Sequence, residues 1–188
     1  MNREILFKAK RKDNGEWVEG QYAYINNPLT ENGEPRKHLI CNGTNIFNYE
    51  IDQDTLCQYT GLNDNTKWED LTESEKELFL SNWNYQEDRK NKVEDWKGKK
   101  IWENDILICH TNEYDLERVV FGEFNVIDTE TLEVVDRVIG WHTNVIETDA
   151  LSKCEPFCLP MPLTDFYIER SGFEVFGNIF DNPELLEV

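Results

Sequence analysis

The stretches QYTGL, from Gln58 to Leu62, and KGKKIWENDILI, from Lys97 to Ile108, decide the expected fold of this chain. Both stretches place strand-forming aromatic and β-branched residues beside glycine or asparagine, which favour turns. They are therefore predicted to be consecutive pieces of one small β-rich module. Between them lies a highly charged segment with three tryptophans, residues 67–96, which interrupts that module.

The intervening segment carries the signals of a helix. Thr72-Glu73-Ser74-Glu75 has the Thr-x-x-Glu spacing of a capping box, in which the threonine and glutamate side chains satisfy the first free amides of a helix. Acidic residues follow at once and basic residues gather from Arg89 onward, as the helix dipole favours. One helix is predicted from about Glu73 to Arg89, with a further turn region toward Trp96 as an extension. Its tryptophans either pack back on the β module or present a surface to a partner, and both alternatives stay open.

The N-terminal residues predict a β-hairpin. Ile5 to Lys12 and Glu16 to Ile25 are β-prone, and the Asp13-Asn14-Gly15 link contains the Asn-Gly pair that tight hairpin turns accept. Further strands are predicted at residues 38–41, 54–59, 101–109, 117–121, 123–128, 134–142 and 173–180, with a bend at Glu103-Asn104-Asp105. Loops are predicted at 26–35 and 42–48, a single helical turn at 148–153, and a short helix after Asn182.

Short strands separated by turns at this spacing favour a small antiparallel barrel of the SH3-like kind. The predicted fold class is α+β and mainly β, with an N-terminal β-hairpin, the SH3-like barrel, an inserted helix and a short C-terminal helix. A chain of 188 residues is long enough for one domain with an elaboration. We predict a single domain over 1–188, made of an N-terminal β region at 1–62, the inserted helical segment at 67–96 and a barrel-like β region at 97–188.

The formal net charge of −19 limits the expected partners. A surface of that charge repels phosphate backbones and anionic lipid, so direct binding to nucleic acid or to membranes is disfavoured. No apolar run approaches the roughly 20 residues that span a bilayer, and the chain enters a strand-like run soon after Met1, so a cytoplasmic location is expected. The charge either serves solubility or mimics nucleic acid to block a basic DNA-handling protein of the host.

The five cysteines are not expected to form a disulfide framework or a metal site. Their odd number and irregular spacing in a cytoplasmic chain argue against disulfides. Cys154 and Cys158 form a C-x3-C pair that resembles half of a zinc site, but a structural site needs a second pair at compatible spacing. No cofactor is predicted.

No catalytic motif stands out in the sequence. His142 is a candidate acid–base group or ligand, although such a histidine more often belongs to the polar face of a sheet. Glu103 and Asp105, with Glu113 and Asp115, are a candidate cation-binding cluster, and solvated turn carboxylates are the favoured interpretation. We therefore expect no enzymatic activity and identify no small-molecule substrate. A deep cavity lined by convergent carboxylates or by His142 would revive the enzyme class.

The run from Glu155 to Leu163 is the most suggestive candidate for an interaction. Its three prolines keep the backbone extended and out of a central strand. Its large apolar side chains either seal the core or dock on a neighbouring subunit, and both alternatives stay open: Phe157, Leu159, Met161 and Leu163. Together with three aromatic residues of the inserted segment they form the candidate interaction surface, the three being Phe79, Trp83 and Trp96.

These motifs together resemble the YopX family of phage and prophage proteins. The resemblance is carried by the two stretches quoted first, by the opening REILFKAK (Arg3 to Lys10) with Trp17 and Gly20, and by the closing FEVFGNIFDNPELL (Phe173 to Leu186). The family places Tyr-Thr-Gly-Leu a few residues before a Gly-Lys-x-Ile-[Tyr/Phe]-Glu-Gly-Asp-Ile run. Here residues 67–96 intervene, and Asn104 stands where glycine is usual.

The resemblance implies a small protein of mixed β-barrel and helix structure, encoded by a temperate phage or prophage and located in the cytosol of the bacterial host. It also implies self-association, and it carries no catalytic residues over to this chain. The expected function is that of a non-enzymatic accessory protein, an oligomeric module that binds itself and an unidentified protein. An acidic nucleic-acid mimic that inhibits a DNA-handling host protein is the alternative.

Overall fold

The structure, a computed structural model, describes residues 5–25, 38–41, 48–84, 87–128 and 130–186. Within these ranges the fold is mainly β, with two α-helices and three antiparallel sheets. The strands are β1 Phe7–Lys10, β2 Trp17–Tyr24, β3 His38–Cys41, β4 Tyr49–Glu50, β5 Cys57–Asn63, β6 Trp83–Asn84, β7 Arg89–Lys90, β8 Lys100–Trp102, β9 Asp105–Cys109, β10 Asn112–Ile127, β11 Val134–Val145, β12 Met161–Pro162 and β13 Glu174–Asn178. The helices are α1 Glu73–Ser81 and α2 Asp165–Ser171, and 3-10 turns lie at Gln53–Thr55, Trp68–Asp70, Val93–Asp95 and Pro183–Leu186. The loop predicted at 26–35 lies outside the described residues, as does all but residue 48 of the loop predicted at 42–48.

The first sheet has six strands in the order β4-β3-β2-β1-β5-β8. The predicted N-terminal hairpin is confirmed, because β1 and β2 pair antiparallel from Phe7 opposite Gly20 to Lys10 opposite Trp17. Burying apolar side chains against this sheet stabilises it by roughly 1.5–3 kcal/mol for each of the larger ones. The buried cluster consists of Ala9, Val18, Ile40 and Ile51.

The second sheet has five strands in the order β12-β11-β10-β9-β13, and α2 packs against it. Helix α2 follows Thr164, whose hydroxyl accepts a hydrogen bond from the Tyr167 N–H at 3.1 Å, and it ends at Gly172 in the left-handed conformation. This helix is absent from the sequence-based prediction, although a threonine cap and a closing glycine are usual boundary signals. The shared core contains Ile101, Leu107, Val119, Leu163, Ile168 and Phe173.

QYTGL and KGKKIWENDILI supply neighbouring strands, as predicted. Strand β5 pairs with β8, with Tyr59 opposite Trp102. The chain then leaves the first sheet at Asn104, which has φ +67 and whose N–H donates to the Val119 carbonyl at 2.8 Å. Asp105 opens β9 in the second sheet and accepts a hydrogen bond from Lys8 of β1 at 2.8 Å, so this buried ion pair joins the two sheets.

Neither of the two larger sheets closes into a barrel within the described ranges. The outer strands of the six-stranded sheet are β4 and β8, those of the five-stranded sheet are β12 and β13, and in each sheet these outer strands do not pair. The mainly-β prediction is confirmed, and the SH3-like barrel is not. The bend at Asn104 divides the predicted strand 101–109 between two sheets, so the strands expected to circle one axis form two separate sheets.

Strand β10 runs without interruption from Asn112 to Ile127. The predicted break at Gly122 is wrong, because Gly122 lies opposite Gly140 within the pairing to β11. The helical turn predicted at 148–153 is also wrong, since Asp149 and Ser152 satisfy each other's backbone amides in a non-helical turn. The predicted C-terminal helix is reduced to the 3-10 turn Pro183–Leu186.

The inserted segment is α-helical only in its first half, and the turn region predicted toward Trp96 is present as the 3-10 turn Val93–Asp95. The predicted capping box between Thr72 and Glu75 is confirmed, but α1 ends at Ser81 rather than near Arg89. A two-stranded hairpin of β6 and β7 follows, with Trp83 opposite Lys90. Helix α1 fully buries none of its residues and packs through Phe79 on Trp68 and Trp96 of the same segment. A short helix with so little packing is only marginally stable, so a longer one is not sustained here.

Candidate functional site

A cavity of about 580 Å³ lies where β10, β11, β12 and α2 meet the loop that joins β11 to β12. We call it the Glu117 cavity, after the most buried charged residue in its lining. Its volume falls within the roughly 300–1,000 Å³ that small-molecule sites occupy. Three carboxylates and one guanidinium line it: Asp115, Glu117, Asp149 and Arg170.

Two elements position the central residues of this cavity. Side chains on a strand alternate between its two faces, so Glu117 of β10 shares a face with Val119, which lies in the core under α2. Tyr167 projects from the first half of α2, and its hydroxyl donates a hydrogen bond to Glu117 Oε1 at 3.1 Å. The cap at Thr164 fixes the start of α2, so it also fixes the position of Tyr167 over Glu117.

The carboxylate of Glu117 is only half satisfied. The residue is 5% exposed, and its Oε2 atom is buried without a hydrogen-bond partner among the described residues. Burial raises the pKa of Glu117 to about 7, against the opposing effect of the Thr143 and Tyr167 hydroxyls. A buried carboxylate that lacks a partner carries a large desolvation cost, which is the physical reason for the raised pKa.

The Cys109 thiol and the Tyr167 hydroxyl beside Glu117 stay neutral near physiological pH. Burial raises the pKa of the Cys109 thiol to about 12, with Asp115 and Glu117 adding to the effect. Burial and the nearby Glu117 also raise the pKa of the Tyr167 hydroxyl. The charge of the cavity near pH 7 therefore depends on its carboxylates and on Arg170.

Exposed apolar side chains surround the mouth of the Glu117 cavity. Tyr114 is 66% exposed, Phe157 57% and Phe166 72%, and Leu151 lies with them in the lining. Aromatic side chains exposed together at a concave site mark a binding surface more often than a solvated one. The cavity thus has an apolar mouth and a charged interior.

The predicted surface at Glu155–Leu163 divides between core and cavity. Leu163 is buried in the core of the second sheet, as the sealing alternative predicts. Phe157 is exposed, Leu159 and Met161 are half-buried, and all three line the Glu117 cavity. Each alternative therefore describes part of this run, and binding of a neighbour at Phe157 stays a prediction.

The three aromatic residues of the inserted segment divide in the same way. Phe79 and Trp96 pack edge-on with ring centroids 5.1 Å apart, and both contact Trp68. The Trp96 indole also donates a hydrogen bond to the Thr66 carbonyl at 2.8 Å. These two residues hold the segment together, whereas Trp83 is 47% exposed and stays a candidate contact.

The other candidate residues lie outside a shared site. His142 is buried and stacks on Phe124 with ring centroids 4.5 Å apart, so it does not line the Glu117 cavity. The interpretation of solvated turn carboxylates is wrong for Asp105, which is 1% exposed, is paired with Lys8 and has a pKa that burial raises to about 6. Within the described ranges no group of three or more His, Cys, Asp or Glu side chains is arranged to hold a metal ion, and Cys154 and Cys158 are free thiols.

The distal parts of β10 and β11 form a two-stranded arm. Strand β9 pairs with β10 only as far as Arg118, and β12 pairs with β11 only at His142 and Thr143. Beyond these points, residues 120–127 of β10 and 134–140 of β11 pair only with each other among the described strands. We call these two stretches the β10–β11 arm. Phe121 and Ile139 lie on one face of this arm and are 54% and 72% exposed.

Sequence reasoning missed the Glu117 cavity because its parts come from distant elements. One signal was present: Glu117 alternates with Val119 and Phe121, which places a carboxylate on the same face of the strand as two apolar side chains. A second was the Thr164 and Gly172 pair that bounds α2 and so places Tyr167. The loop that joins β11 to β12 carries the apolar run with Phe157 and Leu159, which marks one wall of the cavity but gives no sign of Glu117 beside it.

The comparisons with known proteins identify a family. The model of the YopX protein family matches residues 92–187, which extend from the end of the inserted segment through β13 and cover the whole Glu117 cavity. No curated protein matches the chain. In the described part of the chain no helix is long and apolar enough to cross a membrane. The match covers more than half of the sequence, and the chain therefore belongs to the YopX family.

Proposed function

We propose that the protein is a non-enzymatic accessory module of a phage or prophage, and that the β10–β11 arm joins copies of it into an oligomer. The observation that carries this proposal is the arm itself, which extends beyond the sheet with Phe121 and Ile139 exposed on one face. A ribbon of two strands is marginally stable alone, and its outer edges offer unpaired backbone groups to another strand. A second copy of the arm supplies both a strand edge and a matching apolar strip.

The apolar strip begins at the core and continues outward. Phe121 packs edge-on against Trp141 with ring centroids 5.0 Å apart, and Trp141 lies against the core of the second sheet. The Trp141 indole N–H is buried and has no hydrogen-bond partner among the described residues. Ile139 lies opposite Glu123, diagonal to Phe121 on the same face. Covering this strip removes apolar area from water and gives the arm the additional packing that it lacks.

The inserted segment is the proposed surface for an unlike protein partner. Leu78 is 65% exposed, Trp83 47% and Val93 49%, and all three belong to the part of the chain that separates the two motif stretches. Because these residues lie away from the arm in sequence and in pairing, self-association and partner binding are separable by mutation.

Two matched substitutions test the proposal. Ile139→Lys places a charge on the arm, and Leu78→Lys makes the same change at an equally exposed position of the insertion. Light scattering and native mass measurement at micromolar concentration are expected to show an oligomer for the wild type and for Leu78→Lys, and a monomer for Ile139→Lys. Added salt is expected to strengthen the association, because it screens repulsion between copies that each carry −19. A monomeric wild type, or equal effects of both substitutions, contradicts the proposal.

A second candidate function is an acid–base reaction in the Glu117 cavity. It is favoured by the pKa of about 7 for Glu117 in a cavity that Asp115 and Asp149 also line, because a general acid or base works best with a pKa near the working pH. The test is turnover of simple ester, phosphoester and glycoside substrates by the wild type, with a pH dependence that Glu117→Gln removes. Absence of turnover with all three substrate types removes this candidate.

The net charge of −19 is the support for the nucleic-acid mimic, which stays a prediction. Binding to a basic DNA-handling protein is then expected to weaken steeply with added salt, opposite to the salt response of self-association through the arm. No binding to such a protein, or binding that salt leaves unchanged, contradicts this alternative.

A further inference from the structure

The interior of the Glu117 cavity presents a negative charge that the protein does not balance. Glu117 Oε1 accepts a hydrogen bond from Tyr167, and Oε2 has no partner in the described part of the chain. Asp115 and the exposed Asp149 add to the negative charge, and among the described residues the only cation in the lining is the exposed Arg170. An unpaired carboxylate at this depth is costly, so it either takes up a proton or pairs with a positive or donating group supplied from outside.

The mouth of the same cavity selects an apolar body. Tyr114, Phe157 and Phe166 are each more than half exposed around it, and Leu159 and Met161 continue the apolar lining inward. A ligand that reaches Glu117 therefore passes between aromatic and aliphatic side chains. Aromatic rings also attract organic cations through their faces.

From this geometry we infer that the Glu117 cavity binds a small organic cation, in which an ammonium group on an apolar or aromatic body pairs with the Glu117 carboxylate. An ammonium group brings three N–H donors, enough for the free lone pairs of Oε2 and for a second acceptor in the lining. Neighbouring atoms cover Oε2, so the proposed pairing requires the carboxylate to turn toward the cavity.

Other classes of ligand fit less well. An anion is repelled by the three carboxylates of the lining and by the net charge of −19. A bare metal ion needs several oxygen, nitrogen or sulfur ligands converging on one point, and the described residues hold no such group. A neutral alcohol supplies one donor but leaves the buried charge unbalanced, so it binds more weakly than the matching amine.

The test compares 2-phenylethylamine with 2-phenylethanol, which differ in the ammonium group, by calorimetry at pH 8 on the full chain. The amine is expected to bind at least about tenfold more tightly than the alcohol, as a charge-assisted hydrogen bond predicts. Glu117→Gln keeps the shape of the side chain and is expected to reduce that preference to less than about threefold. Glu113→Gln is the matched control, since it removes the same charge from an exposed position of the same strand, outside both the cavity lining and the arm, and it is expected to keep the preference.

The wild type alone supplies a second measurement that does not depend on the folding of a variant. The carboxylate form of Glu117 binds the cation, so the affinity for the amine is expected to rise between pH 6 and pH 8 with release of a proton, seen as buffer-dependent heat. The titratable groups that line the cavity with Glu117 are Cys109, Asp115, Asp149, Tyr167 and Arg170, and the Thr143 hydroxyl of β11 also acts on its carboxylate. Cys109 and Tyr167 stay neutral in this range, so they do not supply the proton.

Three results overturn the inference: equal affinity for the amine and the alcohol, no binding of the amine at millimolar concentration, or the same loss in Glu117→Gln and Glu113→Gln. The last result indicates attraction by the net charge instead of recognition in the cavity. None of these outcomes tests self-association through the arm, because Ile139 and Phe121 lie outside the cavity lining. The proposed self-association is therefore tested independently.

Discussion

Asp64 and Lys99 flank the inserted segment and are joined by two hydrogen bonds, and we call this junction the neck of the segment. The Asp64 N–H donates to the Lys99 carbonyl at 2.9 Å, and the Lys99 N–H donates to Asp64 Oδ1 at 2.7 Å. The same buried carboxylate accepts from the Thr66 N–H and, across to β13, from the Val175 N–H at 2.8 Å. The chain therefore leaves and re-enters the fold at one fixed point. This explains how some thirty residues fit between β5 and β8 while the two strands still pair, with a register shift between Tyr59 and Asn63.

A substitution at Gly98 tests how tightly the backbone of this neck is packed. A Cβ at this position would lie 2.0 Å from the Asp64 carbonyl oxygen, and the backbone has φ +99, which L residues rarely adopt. Gly98→Ala is therefore expected to lower the free energy of unfolding by on the order of 2–4 kcal/mol in urea denaturation. Gly140→Ala is the control, because a Cβ there meets nothing within 4 Å. Equal stability of both variants contradicts a closed neck.

Substitutions of Asn104 test why this chain has asparagine at a position where the family usually has glycine. Its φ of +67 suits glycine or asparagine, and its side chain also accepts a hydrogen bond from Arg118 and donates one to the Cys57 sulfur. Asn104→Gly keeps the backbone and loses only these contacts, whereas Asn104→Ala loses them and strains the backbone. The alanine variant is expected to be less stable than the glycine variant by about 1 kcal/mol in urea denaturation. The reverse order contradicts a backbone role for this residue.

Local signals predicted the elements whose stability is local. The Asn14-Gly15 hairpin, the capping box at Thr72 and the bend at Asn104 each depend on residues within a few positions, and each is present. Tertiary packing decided the rest. Helix α1 stops at Ser81 because no core lies against it, and β10 continues through Gly122 because β11 pairs with it throughout.

The candidate site was predictable only in part, for the same physical reason. The apolar run from Phe157 to Leu163 marked one wall of the Glu117 cavity. Its charged interior depends on Tyr167 meeting Glu117 across 50 residues, a contact that arises from the packing of α2 on the second sheet. No spacing in the sequence encodes that contact. The failure of the barrel prediction has the same origin, because the partners of β8 and β9 differ although the two strands are consecutive.

Glu117 gives the folded protein a characteristic dependence on pH. Its pKa rises from an ordinary value of 4.5 to about 7 on folding, so between these values the folded state binds more protons than the unfolded state. The contribution of this group to stability is therefore present below pH 4.5 and is lost as the pH rises toward 7. Glu117→Gln removes that loss and is expected to be more stable than the wild type at pH 8, by up to about 3 kcal/mol, and similar to it at pH 4.5.

Urea denaturation of both proteins at the two pH values measures this difference. Asp105, whose pKa is raised to about 6, produces a dependence of the same sign, but it is present in both proteins and cancels in the comparison. A stability difference that does not change between pH 4.5 and pH 8 contradicts the raised pKa of Glu117.

Substitutions at the two threonine caps distinguish the stability of the inserted segment from that of the core. The hydroxyls of Thr72 and Thr164 each accept a hydrogen bond from the first turn of their helix, so each Thr→Ala change is expected to weaken its helix by about 1 kcal/mol. Helix α2 buries Ile168 in the core, whereas α1 buries none of its own residues. Thr164→Ala is therefore expected to lower the global free energy of unfolding, and Thr72→Ala is expected to increase amide hydrogen exchange in α1 while global stability stays unchanged. Because the same substitution is made at both caps, a global loss in Thr72→Ala would show that the inserted segment folds together with the two sheets and is not an appendage of the neck at Asp64.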